Sequence, residues 1–127
     1  MSKRFFISAI GTDSGKTLAS AILCRHLNAA YWKPIQSGPE HDSTQIGKWL
    51  NGNIEIIPEA FKLTQPLSPH IAAEKDYIEI LETSLVLPDY KGNMIIESAG
   101  GLMVPINNKG LIMADLAKLW NLPVILV

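Results

Sequence analysis

The chain has 127 residues, of which 47% are hydrophobic and 18% charged, and its formal net charge is -1. This length suits one domain with a single core. The near-neutral charge argues against binding of nucleic acid or an anionic membrane through bulk charge, and no apolar run reaches the roughly 18 residues of a membrane helix.

The only cysteine, Cys24, has no partner within the sequence for a disulfide, so nothing indicates an oxidising compartment. Two basic residues and a short apolar run begin the chain in the manner of a signal peptide, but no small-residue cleavage site follows them. We therefore predict a cytoplasmic protein in which Cys24 is a small buried hydrophobic residue.

Apolar runs that favour strands alternate along the chain with segments of helical spacing. A stretch over 54–63 is mixed and gives no clear element. This alternation predicts right-handed β-α-β units and a parallel sheet covered on both faces, in one domain over 1–127. The strands are predicted over 4–10, 31–38, 92–98 and 122–127, and the helices over 15–30, 42–52 with Asp42 as N-cap, 68–76, 77–87 and 110–121.

The sequence ends at Val127, inside a strand that its apolar residues predict to be central and buried. A doubly wound sheet normally continues from such a strand into a further loop and helix. We therefore expect the sheet to be incomplete and the chain to be the N-terminal part of a longer domain.

The stretch "SAIGTDSGKTLAS" lies between the first strand and the first helix. It ends like the phosphate-binding pattern G-x-x-x-x-G-K-[ST], but Ile10 stands where that pattern has its first glycine. Backbone N–H groups at the start of a helix favour an anion, the Lys16 ammonium adds charge at the phosphates, and the Thr17 hydroxyl suits Mg²⁺. The context therefore predicts a nucleotide phosphate site.

Carboxylates at two other element ends suit the same metal. Glu97 ends the strand "NMIIE" at the sheet edge where open α/β folds bind ligands, and Asp42 is either an N-cap, a metal ligand or both. Lys33, in "KPIQSG", ends the second strand at that edge and can balance the charge of a phosphoryl or carboxylate group. Ser37 in the same segment is compatible with an ordinary turn.

With these stretches in place, the whole chain resembles the dethiobiotin synthetase family. The resemblance is carried by "GTDSGKT", "YWKPIQSG", "PLSPHIAA", "ESAGGLMVP" and "LPVILV". It implies an α/β, Rossmann-like P-loop NTPase fold with a mostly parallel sheet flanked by helices, truncated at its C-terminal end. Against the family pattern, Ala9 replaces the usual first glycine of the loop and Ser98 stands where glycine is usual.

The resemblance also implies a reaction. An ATP-dependent cyclo-ligase of this family converts 7,8-diaminononanoate, CO₂ and MgATP to dethiobiotin, ADP and phosphate, and works as a homodimer. One substrate amine becomes a carbamate, the carbamate attacks the γ-phosphate, and the second amine closes the cyclic urea.

Positional match assigns roles within this reaction. Lys16 binds the phosphates, Lys33 stabilises the carbamate and the transferring phosphoryl group, and Thr12 and Ser37 contact the substrate. We predict a structural role for His70. Mg²⁺ is held by Thr17, Asp42 and Glu97, and ATP is contacted by Asp13, Ser14, Gly15, Lys16, Thr17, Leu18, Asp42, Glu97, Ser98, Ala99 and Gly100.

Three alternatives remain open. A partitioning-type ATPase carries a signature lysine where this chain has Gly11, which argues against that class. A cobyrinate-type amide synthetase has a similar ATP site, but the "PLSPH" segment favours dethiobiotin synthetase. A catalytically incompetent nucleotide-binding fragment would retain all of these motifs.

Overall fold

The computed structural model describes residues 2–11, 14–39 and 41–127, which form seven strands and four α-helices. Within these residues no helix is both long and apolar enough to cross a membrane. The strands are β1 (Arg4–Ser8), β2 (Ala30–Trp32), β3 (Ile35–Ser37), β4 (Ile56–Ile57), β5 (Phe61–Leu63), β6 (Met94–Glu97) and β7 (Val124–Leu126), and the helices are α1 (Lys16–Leu27), α2 (Asp42–Trp49), α3 (Pro69–Lys75) and α4 (Met113–Leu119).

The main sheet has the strand order β4-β2-β6-β1-β7, and all of its neighbouring strands are parallel. In its register Ile7 pairs with Glu97, and Tyr31 pairs with Ile95. Because parallel strands end at the same edge, the carboxyl ends of β1, β2 and β6 meet there. The predicted α/β fold with a mostly parallel sheet is therefore confirmed.

The sheet separates two apolar clusters, because successive strand residues point to opposite faces. Phe6, Trp32 and Ile96 face one cluster, which contains the buried residues of α3 and α4. Ile7 and Ile95 face the other, which contains the buried apolar residues of α1 and α2. The prediction of a sheet covered on both faces is confirmed, and Cys24 lies buried in the second cluster as expected.

The predicted strand over 31–38 is wrong as a single element. The chain leaves the main sheet after Trp32, and β3 pairs instead with β5 in a separate two-stranded parallel sheet. Pro34 lies in the break, where it offers no N–H to a ladder and restricts the backbone of Lys33. The break turns Lys33 and the segment after it toward the carboxyl edge of the main sheet.

The predicted helix over 77–87 is also wrong, because only a short 3₁₀ helix, Glu82–Ser84, forms there. Tyr77 has a φ of +57°, which ends the helical path directly after α3. Ile80 and Leu85 then enter the core separately, each 2% exposed or less, so the segment buries its apolar residues without a continuous helical face.

The predicted central position of the last strand stays a prediction, because the sheet was also expected to be incomplete. Among the strands of the described residues, β7 lies outermost, beside β1, and Val124 and Leu126 are 43% and 51% exposed. Its apolar sequence is typical of a strand that is buried on both faces of a parallel sheet. The remaining predicted helices form, although α4 begins at Met113 and α1 ends at Leu27, before the left-handed Asn28.

Candidate functional site

The start of α1 is built to receive an anion. Gly15 precedes the helix with a φ of +90°, a left-handed conformation that favours glycine, and Lys16 is the first helical residue. The first-turn N–H groups and the helix dipole then favour negative charge in front of the helix. Thr12 and Asp13, which the family resemblance assigns to substrate and nucleotide, lie outside the described residues.

The carboxylate of Glu97 lies buried beside this helix start, at the end of β6. It is 1% exposed. Its Oε2 accepts a hydrogen bond of 3.1 Å from the Thr17 hydroxyl, and its Oε1 accepts one of 3.1 Å from the Tyr31 hydroxyl. Both oxygens are therefore oriented by hydroxyl groups, one from α1 and one from β2.

The surroundings of Glu97 raise the pKa of its carboxyl group above the ordinary value, chiefly because burial disfavours the charged form. The nearby Asp42 carboxylate acts in the same direction. The Lys33 ammonium lowers the pKa, as do the hydroxyls of Ser20 and Tyr31. Burial and the charge of Glu97 also raise the pKa of Tyr31 well above its usual range, so the phenol keeps its proton and donates. An additional cation at this position would relieve the buried negative charge.

Lys33 supplies one positive charge to the same place. It follows β2 directly, is only 8% exposed, and its ammonium donates to a carboxylate oxygen of Asp42. The prediction that Asp42 is an N-cap is wrong, because His41 occupies that position and Asp42 is the first helical residue of α2. The first turn of α2 thus presents the Asp42 carboxylate to the site instead of to its own backbone.

The residues at this edge line an open cleft of about 960 Å³. Most of the sites predicted from sequence are brought together here, including both lysines and both carboxylates. They are Ser14, Gly15, Lys16, Thr17, Leu18, Lys33, Ser37, Asp42, Glu97, Ala99 and Gly100.

Several other lining residues were not predicted as site residues. One group is "PLSP" at 66–69, whose presence among the family-like segments was a signal that could have placed it here. Tyr31, which touches Glu97 from within the core, was also missed. The further lining residues are Gln36, Gly38, Pro39, Trp49 and Val104.

Two residues discussed in the sequence analysis are not among the residues that line the cleft. They are Ser98, which was predicted to contact ATP, and His70, which was predicted to have a structural role. The Ser98 hydroxyl donates to the carbonyl of Gly100 at 2.6 Å and lies 2.9 Å from the hydroxyl of Ser8, so its side chain braces the loop after β6. His70 lines a separate cavity of about 320 Å³ with Ile80, Ile106 and Asn107. Neither side chain faces the cleft that holds both lysines.

The donor set fits a magnesium ion shared with a nucleotide. The described residues contain no cluster of three or more His, Cys, Asp or Glu side chains that could hold a metal alone. They do place a hydroxyl, Thr17, on a buried carboxylate, and a second carboxylate, Asp42, against a lysine that balances its charge. Mg²⁺ commonly takes one or two carboxylates together with phosphate oxygens and water.

Comparison with known proteins gives a family and a set of relatives. The chain matches the family model described as an AAA domain over residues 3–127. It is 50% identical over 128 residues to the ATP-dependent dethiobiotin synthetase of Cytophaga hutchinsonii, an alignment covering 98% of this chain and 62% of the relative. It is 43% identical over 129 residues to the proteins of that name from Brucella ovis and Brucella canis, covering 99% of this chain and 60% of each relative. The chain therefore spans about three fifths of the length of these curated relatives.

Proposed function

The chain belongs to the AAA domain family, and from this premise we propose that it carries the ATP-binding and catalytic edge of a dethiobiotin synthetase. The proposed reaction is the MgATP-dependent closure of 7,8-diaminononanoate with CO₂ into dethiobiotin, with release of ADP and phosphate. The names of the relatives support this activity, as does the arrangement of charges in the cleft.

The observation that carries the proposal is the placement of Lys33. A buried lysine that follows β2 shares the cleft with the start of α1, and its ammonium contacts Asp42 beside the buried Glu97. A simple nucleotide-binding loop needs no second lysine at this position. A reaction that passes a phosphoryl group to a carbamate does need one, because both reacting groups are anionic.

Each residue then has a defined task. Lys16 and the first N–H groups of α1 hold the phosphates, and Lys33 holds the carbamate oxygen in line with the γ-phosphorus. Thr17, Asp42 and Glu97 would hold Mg²⁺, which supplies charge neutralisation at the phosphates when bound. Positioning and charge stabilisation supply most of the catalysis in phosphoryl transfer.

The steps balance in bonds and protons. One substrate amine adds to CO₂ and loses a proton to give the carbamate, whose oxygen displaces ADP from the γ-phosphorus. The second amine then attacks the carbonyl carbon, phosphate leaves, and a proton is lost as the ring closes. Ser37, on the lining of the cleft, and Thr12 are the residues we propose to contact this substrate. We also propose a cytoplasmic homodimer.

The test is ADP release by the purified chain with MgATP, bicarbonate and 7,8-diaminononanoate. We expect release that depends on the diamine, and we expect Lys33→Ala to lower its rate by about 10²- to 10³-fold, as removal of a transition-state donor does. Lys118→Ala, an exposed position on α4, is the matched control and should leave the rate unchanged.

The outcomes separate the candidate functions. ADP release that is equally fast without the diamine would contradict the synthetase and favour a plain ATPase. Nucleotide binding without turnover, while a full-length relative is active in the same assay, would favour the catalytically incompetent fragment. Turnover with a cobyrinate-type acid and an amide donor in place of the diamine would favour the amide synthetase.

A further inference from the structure

Tyr31 is a polar side chain placed inside the core next to the proposed metal site. It is fully buried and packs in the cluster covered by α1 and α2. Tyr31 pairs with Ile95 in the parallel register, and Glu97 follows Ile95 by two residues, so Glu97 points to the same face of the sheet as Tyr31. The phenol oxygen accordingly lies 3.1 Å from Oε1 of Glu97.

The hydrogen bond matters because of where the other oxygen of Glu97 points. Oε2 faces the Thr17 hydroxyl at 3.1 Å, and Thr17 is the residue expected to share Mg²⁺ with Glu97. The terminal torsion of a glutamate is broad and roughly two-fold, so packing alone does not fix the carboxylate plane. A donor on Oε1 opposite a donor on Oε2 does fix it.

A phenylalanine would fill the same space, since the ring alone supplies the apolar contacts of Tyr31. A buried hydroxyl is costly unless it has a hydrogen-bond partner, and the partner found here is a proposed ligand carboxylate. Partners of this kind orient metal ligands, and their removal typically lowers metal affinity or activity by about 10- to 100-fold.

We propose that Tyr31 is a positioning residue, whose hydroxyl holds Oε1 of Glu97 so that Oε2 is presented to a divalent cation bound with the nucleotide. This inference rests on the proposed function, because it needs the magnesium-nucleotide site described above. It adds a residue from the interior of the sheet to a site that otherwise consists of helix starts and strand ends.

The test uses the full chain and its Tyr31→Phe variant, with Mn²⁺ as the probe ion and a non-hydrolysable ATP analogue. We expect Tyr31→Phe to raise the dissociation constant of Mn²⁺ about tenfold. In the activity assay, the KM for Mg²⁺ should rise by a similar factor while kcat at saturating Mg²⁺ stays within twofold. Tyr90→Phe, which removes a hydroxyl from a half-buried tyrosine in the opposite cluster, should change neither quantity.

A double-mutant cycle shows whether Tyr31 acts through Glu97. In a Glu97→Gln background, Tyr31→Phe should weaken Mn²⁺ binding by less than twofold. Full additivity of the two substitutions would overturn the inference, and so would unchanged Mn²⁺ affinity in a folded Tyr31→Phe variant. Failure of Tyr31→Phe to fold would also overturn it, because the hydroxyl would then be required by the core.

The Mn²⁺ measurement tests the role of Tyr31 separately from the proposed synthetase activity. A parent chain that binds Mn²⁺ with the analogue but does not turn over diaminononanoate would defeat the synthetase and leave the role of Tyr31 intact. A parent chain that binds no Mn²⁺ in the presence of the analogue would overturn the inference about Tyr31.

Discussion

The two faces of the central sheet carry different buried polar groups at its carboxyl edge. On the face covered by α3 and α4, the strand ends carry Ser8 and Ser98, two neutral hydroxyls 2.9 Å apart. On the face covered by α1 and α2, one residue away along β6, the buried group is the Glu97 carboxylate. The first face therefore carries two neutral hydroxyls that hydrogen-bond to each other, and the second carries an ionisable carboxylate.

This difference affects the free energy of unfolding. A buried carboxylate whose pKa is raised by burial opposes folding at neutral pH, because its charged form is better solvated in the unfolded chain. A neutral hydroxyl pair carries no such cost. We therefore attribute the charge on the α1 face to the cation that we propose binds there.

The largest expected effects come from substituting neighbouring residues of β6 that face opposite ways. Ile96→Ala should lower the free energy of unfolding by about 2–5 kcal/mol, because it removes a fully buried side chain. Glu97→Gln should leave that free energy unchanged or raise it at pH 7, yet weaken Mn²⁺ binding more than about 100-fold, since even outer partners of metal ligands cost about 10- to 100-fold. Urea unfolding and Mn²⁺ titration of both variants measure the two quantities.

The proposed difference between the two faces would be contradicted if Ile96→Ala and Glu97→Gln had the same effects on the free energy of unfolding and on Mn²⁺ binding. Severe destabilisation by Glu97→Gln would mean that the carboxylate and its hydroxyl partners hold the fold. Tight Mn²⁺ binding by the same variant would remove Glu97 from the proposed metal site.

A smaller effect is expected where the loop after β6 crosses the end of β1. A Cβ on Gly101 would lie 2.6 Å from the carbonyl oxygen of Ile10 and 2.9 Å from that of Ala9. Both atoms belong to the backbone, so they cannot move away as a flexible side chain can. Gly101→Ala should therefore lower the free energy of unfolding by about 1–3 kcal/mol. It should also weaken ATP binding, because it displaces the residues that lead into the proposed phosphate loop. Thermal unfolding and ATP titration would show both changes.

Gly47→Ala is the matched control, because a Cβ at this position in α2 meets nothing within 4 Å. It should stabilise the chain by about 0.5–1 kcal/mol through helix propensity. Equal behaviour of the two alanine variants would show that the close approach at Gly101 does not constrain the loop.

Much of the cleft was predictable because its parts are local in sequence. The strand, glycine and helix around Lys16 define a phosphate site within one segment, and Glu97 ends a run of apolar residues that predicts a buried strand. The parallel sheet then brings these segments to one edge by topology alone. Lys33 and Asp42 followed from the family resemblance more than from their own surroundings.

The remainder depends on register and on tertiary packing. Tyr31 lies in an apolar run, and only its pairing with Ile95 reveals that its hydroxyl reaches Glu97. The break at Pro34 is visible as a proline, but the sheet that β3 joins is decided by a distant strand, β5. The extended path after Tyr77 likewise follows from contacts of Ile80 and Leu85 with the core.

The smallest expected effect lies at the exposed end of α3, on the face of the sheet that α3 and α4 cover. Asp76 accepts hydrogen bonds from the Thr64 hydroxyl at 2.5 Å and the Thr64 N–H at 2.7 Å, and these lower its pKa below the ordinary 3.8.

A carboxyl group with a lowered folded-state pKa stabilises the fold above its unfolded pKa, and this stabilisation is lost as the pH falls through the folded value. The stability difference between the parent and Asp76→Asn should therefore be constant near neutral pH and shrink below about pH 3.8. Urea unfolding across this range measures it, with the exposed Asp89→Asn as control. Thr64 lies shortly before the "PLSP" segment that lines the cleft. If Asp76→Asn also raises the KM for the diamine without changing kcat, the contact between Asp76 and Thr64 holds that segment in position for substrate binding.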